Sequence, residues 1–173
     1  MSETFLTVLE DGRPIVFTHD DIIAYHGYGF PGGVAHGFKA MERALPLLDP
    51  GHAPERREIK IRTPFRGPGA RDAFELVTRC LTENRYTVDP ALAKPERGDL
   101  LKGYVFIFEY RGTSVTLQIT PGHVRPEFIE LGRMPDRTPA QEERLTFLKG
   151  EMAERLMALP ASELYEVCDK RLF

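Results

Sequence analysis

The spacing of apolar and polar positions changes period several times along the chain. Phe5–Leu9 and Ile15–Thr18 are short apolar-rich runs flanking EDGRP, where Asp11-Gly12 supplies a hairpin turn. Thr18-His19-Asp20-Asp21 has the makeup of a helix start, a capping hydroxyl followed by acids suited to the positive end of the dipole. Gly27 and Gly29 interrupt that helix early. Val34, Phe38, Met41 and Leu45 then recur at helical spacing, with Pro31 fitted to the first helical position and Pro46 marking the expected end. Asp49–Glu55 reads as a loop. Glu58–Thr63 alternates as EIKIRT, which predicts a strand, and PFRGPG (Pro64–Gly69) predicts a second loop. Asp72–Leu81 reads as a helix with Phe74, Leu76, Val77 and Cys80 inward. Tyr104–Tyr110 and Ser114–Thr120, joined around Arg111-Gly112, carry the strongest hairpin signal. In the last third, Thr138 opens a helix whose stripe is Leu145, Leu148, Met152 and Leu156; Pro160 closes it, and Ser162–Val167 reads as a final turn or short helix. Strands mixed with helices, without a strict βαβ rhythm, predict an α+β fold with an antiparallel sheet packed against helices.

Composition narrows the partners. The length of 173 residues suits one domain over 1–173, and 42% apolar with 28% charged residues is an ordinary globular balance. The net charge is −3 with no basic run, which argues against a nucleic-acid partner. No apolar run reaches the ~18–20 residues needed to cross a bilayer, so no membrane partner is expected either. The start, MSETFLTVLEDGRP, lacks the basic and apolar blocks of a secretory signal. The two cysteines, Cys80 and Cys168, lie far apart and outside any CxxC pattern. A cytoplasmic protein with reduced thiols is the expectation.

Residues 25–37, YHGYGFPGGVAHG, concentrate five glycines and two histidines. His26 beside Gly27 and Gly29 sits where backbone can approach a ligand closely, and imidazole is both a metal ligand and an acid–base group. A histidine that satisfies a backbone carbonyl at a tight bend fits the same residues, since the glycines serve either purpose. His36 falls off the centre of the apolar stripe and reads as a partly buried, hydrogen-bonded histidine. Pro31-Gly32-Gly33 opens a helix with free amides, the makeup of an anion site. Cys80, on an amphipathic helix, reads as a packing residue. His19, His52 and His123 sit in caps or loops, where solvent exposure is expected.

Taken together, ordered blocks along the chain resemble the FmdE-like family, named for a component of formylmethanofuran dehydrogenase. The family's opening signature, an aromatic residue, His-Gly-His, one residue and Cys-Pro-Gly, is similar to Tyr25, His26, Gly27, Tyr28, Gly29, Phe30, Pro31 and Gly32, followed by Gly37 and Met41. A block with Asp-Ala and later Thr-Gly-Cys-Thr resembles Asp72, Ala73, Glu75, Thr78, Arg79, Cys80 and Thr82. A glycine-lysine pair leading into an aromatic strand resembles Lys102, Gly103, Tyr104, Val105 and Phe106, with the pair reversed. The ending LPASELYEV (Leu159–Val167) is similar too.

The resemblance implies an α+β domain that pairs as a homodimer around a cleft for a small molecule. It implies a transition metal such as zinc or iron, or haem, with His26 and Cys80 at matching ligand positions. Tyr28 stands for the second histidine and Phe30 for the first cysteine. His36 would supply a third ligand if the helix turns it to the cleft, and tyrosine ligates haem iron in catalase. Gly29, Pro31, Gly32 and Lys102 would contact the bound group. The cysteine-rich zinc ribbon of some members has no counterpart in this chain. Three readings follow: a metal-binding cleft protein; a metal-independent enzyme with His26 as acid or base and Tyr28 assisting; and a non-catalytic dimeric module whose glycines let helices pack closely.

Overall fold

Residues 3–172 are described by the computed structural model. Two hairpins are closed by the residues that the turn geometry requires. Strands β1 (Leu6–Glu10) and β2 (Arg13–Phe17) meet across Asp11 (φ 50°) and Gly12 (φ 76°). Strands β5 (Val105–Tyr110) and β6 (Thr113–Ile119) meet across Arg111 (φ 42°) and Gly112 (φ 82°). Two successive positive φ values match the right-handed twist of the paired strands.

The helices begin where their caps stand. Thr18 and Asp21 form a reciprocal capping box at the start of α1 (His19–His26), and Thr138 with Gln141 forms another. Between these come α2 (Pro31–Leu48), α3 (Pro68–Thr78), α4 (Gly98–Leu101) and α5 (Pro126–Arg133). The second box opens α6 (Pro139–Met157), which is followed by α7 (Ala161–Leu164). Thr138→Ala removes one of the bonds to an otherwise unpaired amide, and a loss of about 1 kcal/mol in urea unfolding is the expected result.

The main sheet has the order β4-β3-β5-β6-β7, with β3 (Lys60–Thr63), β4 (Tyr86–Val88) and β7 (Tyr165–Leu172) completing it. All its pairings are antiparallel except β3 with β4. The pleat sends alternate side chains to opposite faces. Ile61, Phe106, Phe108, Val115, Leu117 and Tyr165 are buried against the helices. The register places Arg62, Glu109, Thr116, Asp169 and Arg171 together on the other face. The architecture is α+β. No helix among the described residues is long and apolar enough to cross a membrane.

Helix α2 lies at the centre, with α3 and α6 beside it. Val34, Phe38, Met41 and Leu45 are all buried, as their spacing predicts. Glycines bring α2 against α3. A Cβ on Gly37 would lie 2.7 Å from Ala73 Cβ, and one on Gly69 would lie 2.6 Å from both Phe30 O and Val34 N. The glycines of this region therefore serve helix packing as well as the bend.

Several boundaries differ from the sequence expectation. Helix α2 runs past Pro46 to Leu48, because a proline in the last turn forfeits one backbone bond only. Helix α3 starts at Pro68, inside the expected PFRGPG loop, and stops at Thr78 instead of Leu81. Side chains there compete with the helical ladder. The buried Glu75 carboxylate accepts from the amides of Leu81 (2.7 Å) and Thr82 (3.0 Å), and Arg79 adopts a left-handed φ of 59°. The expected final turn is only the four-residue α7; the chain then becomes β7, whose alternation is broken by a bulge where Cys168 has no partner opposite. Glu58, the first residue expected in the strand, instead closes a short 3-10 turn, Arg56–Glu58.

Candidate functional site

The end of α1 turns sharply at Gly27 (φ 88°), whose amide donates to Ile23 O at 2.7 Å. This turn leaves Tyr28 90% exposed while the His26 ring folds inward, with 7% of its side chain exposed. There His26 Nδ1 lies 2.7 Å from Asp72 Oδ2, and Asp72 Oδ1 accepts from Arg71 Nε at 2.9 Å. Burial opposes the charge on Asp72, but the hydrogen bonds from His26 and Arg71 hold its carboxyl below the usual carboxylate value. A carboxylate only accepts, so Nδ1 carries a hydrogen, and in the neutral ring Nε2 then holds the lone pair. Nε2 is buried and has no partner among the described residues.

Sequence reasoning missed Asp72 as a site residue. The one signal it carries is its place: it opens the DAFELVTRC block, where attention falls on Cys80.

Cys80 lies elsewhere. It lies two residues beyond Thr78, the last residue of α3, which is itself about 9 Å along the helix from Asp72 at ~1.5 Å per residue. It is wholly buried, and burial above all pushes its thiol up to about 11. Iodoacetamide is therefore expected to label exposed Cys168 and spare Cys80 in the folded protein, as peptide mass mapping would show.

His36 is fully buried, more so than its helical position suggests, because α6 and β7 cover that side of α2. Its Nδ1 lies 2.7 Å from the Tyr165 hydroxyl. Burial first, with the charges of Arg155 and His123 adding, pushes His36 down to about 3, so the ring is neutral. Its Nε2 has no partner among the described residues.

A bound metal implied by the resemblance does not fit these positions. His26 and His36 use one ring nitrogen each, on Asp72 and Tyr165, and Cys80, which would complete the set, is a neutral thiol in the core. Among the described residues no group of three or more His, Cys, Asp or Glu side chains stands close enough to hold one.

The remaining candidates divide between the bend and the surface. Gly29 O accepts from Lys149 Nζ at 3.2 Å. Pro31 and Gly32 form the first turn of α2, where a Cβ on Gly32 would lie 2.8 Å from Met152 Sδ. Lys102 caps α4 and pairs with Asp99 at 2.6 Å, a surface contact. Of the histidines expected in solvent, His52 is exposed, but His19 is half-buried with burial lowering its pKa. His123 is half-buried as well.

Phe30, whose ring lies 6.0 Å from that of His26, also lines a cavity of about 80 Å³. The cavity is walled by Phe30, Phe65, Tyr104, Phe128 and Met152, with His36 among the lining residues and the first residues of α2 and α3 at its side. No protein-family model matches the chain, and no curated protein matches it.

Proposed function

We propose that this chain acts on a small molecule by metal-independent acid–base chemistry, with His26 transferring the proton and Asp72 orienting it. The observation that carries this reading is the 2.7 Å pair that fixes Nδ1 and leaves a buried Nε2 without a partner. A buried polar atom with no hydrogen bond calls for an explanation, and a substrate hydrogen is a fitting one. Nε2 takes the proton, the neighbouring carboxylate stabilises the imidazolium so formed, and the proton is returned to the product. A positioned base of this kind contributes about 10²–10⁴ in rate.

Nε2 is closed to solvent, and in this reading the Gly27–Phe30 segment, whose Phe30 ring lies 6.0 Å from the imidazole, moves aside to admit the substrate. Neither Gly27 nor Gly29 has an atom within 4 Å of the place where a Cβ would stand, and the segment is held by Lys149, which donates to Gly29 O and lies over the Phe30 ring. The exposed Tyr28 hydroxyl on the same segment is the second polar group a substrate would meet. The resemblance to the FmdE-like family, with a homodimer in the cytoplasm, belongs to the same proposal. His26 and Asp72 fall in the two segments that carry that resemblance most clearly.

The test uses EDTA-treated protein in D2O with a panel of small hydroxy and keto acids, followed by mass spectrometry. Deuterium uptake or conversion of at least one compound is expected, slowed at least tenfold in Asp72→Asn. Failure of the metal-free protein to turn over any of them, or an Asp72→Asn rate equal to wild type, overturns the proposal.

A further inference from the structure

The second unpartnered imidazole nitrogen faces different surroundings. Tyr165 is fully buried, and its hydroxyl makes a side-chain hydrogen bond to His36 Nδ1 only, among the described residues. A buried phenol must place its hydrogen somewhere, and Nδ1 is the acceptor within reach. The hydrogen of the neutral ring therefore sits on Nε2. His36, at 1% exposure, lines the cavity behind Phe30, so its Nε2–H is a donor with nothing yet to donate to.

Two helices begin at the same cavity. Phe30 and Gly33 of the α2 start and Gly67, Pro68 and Gly69 of the α3 start line it. Neither N-terminus has a side-chain cap and neither has an acid in its first turn. The positive ends of both dipoles are thus left for something other than the chain's own side chains. Outside the lining, Lys149 Nζ stands 4.4 Å from the centre of the Phe30 ring and donates to Gly29 O. The rest of the wall, Phe65, Tyr104, Phe128 and Met152, is aromatic and apolar. A site with a donor, two positive helix ends and a nearby ammonium favours an anion, and the greasy wall favours a carbon chain behind it.

We infer that the cavity between the starts of α2 and α3 is a binding site for a short-chain monocarboxylate, its carboxylate on His36 Nε2–H and its alkyl end among Phe65, Tyr104 and Met152. A volume of about 80 Å³ is near that of three water molecules, which admits a ligand of about three to five non-hydrogen atoms. Acetate and propionate are of that size. This site rests on His36 and the two helix starts and not on the His26 reading, although Phe30 borders both sites.

Propionate titrated into ¹⁵N-labelled protein tests the inference, with 1-propanol as the uncharged analogue. Saturable shifts of the His36 ring and of the Gly33 and Gly69 amides are expected, with millimolar affinity and at least tenfold weaker binding of 1-propanol. His36→Leu is expected to weaken propionate at least tenfold; Met152→Phe, which fills the cavity from α6, serves should His36→Leu fail to fold. Absence of saturable shifts, equal affinity for 1-propanol, or propionate binding unchanged in the folded variant overturns it.

Discussion

Gly69→Ala is expected to destabilise the protein by about 3 kcal/mol, the upper end of the range for overpacking. The added Cβ would stand 2.6 Å from Phe30 O and from Val34 N, and 2.9 Å from Gly33 C. All three neighbours are backbone atoms, so no rotamer change relieves the clash; α2 and α3 must separate. The two helices share Ala70, Ala73, Val34 and Phe38 in one core, and separation there loosens many contacts together. Urea unfolding would show a lower midpoint at an unchanged slope. Gly150→Ala is the matching control. Gly150 lies inside α6 with no atom within 4 Å of its Cβ position, so the change is expected to stabilise by up to about 1 kcal/mol through helix propensity.

Acidification is the second large effect. Burial holds His36 at about 3 in the folded protein, against 6.5 for the free side chain. Between those values the unfolded chain binds the extra proton and the folded one does not. Stability from this group is therefore complete above pH 6.5 and falls as the pH drops towards 3. From pH 7 to pH 4 the loss is about 3 kcal/mol, at ~1.4 kcal/mol per unit. Arg155 and His123 act in the same direction on the ring, and half-buried His19 adds to the same window. His36→Asn keeps a polar atom near the Tyr165 hydroxyl but does not titrate. The difference in unfolding free energy between the two proteins is expected to shrink by that amount from pH 7 to pH 4; a difference that stays constant contradicts the assignment.

Much of the fold was legible because local signals and burial agree. The Asp11-Gly12 and Arg111-Gly112 turns, the Thr18 and Thr138 caps and the stripe of α2 each name their own structure. Where long-range contacts decide, the sequence misled. Nothing local shows that Glu75 will reach forward to amides 81 and 82 and end α3, or that a charged segment after Leu164 will pair with β6 as an edge strand. Helix α5 carries one buried residue, Leu131, too few to make a pattern. The site divides in the same manner. His26 stands out because glycines crowd around it, whereas Asp72 is an ordinary surface-like acid until the fold places it, 46 residues away, against that ring. Cys80 draws notice as a reactive residue type, and burial makes it a packing residue.

The state of one imidazole decides whether the proposed acid–base chemistry is available. Long-range ¹H–¹⁵N spectra of metal-stripped protein at neutral pH, with His26 assigned through His26→Gln, read that state directly. The expected spectrum has the hydrogen on Nδ1, bound to Asp72, and an unprotonated Nε2 that shifts when Asp72→Asn is introduced. A His26 ring with its hydrogen on Nε2, or a spectrum indifferent to Asp72→Asn, would contradict it.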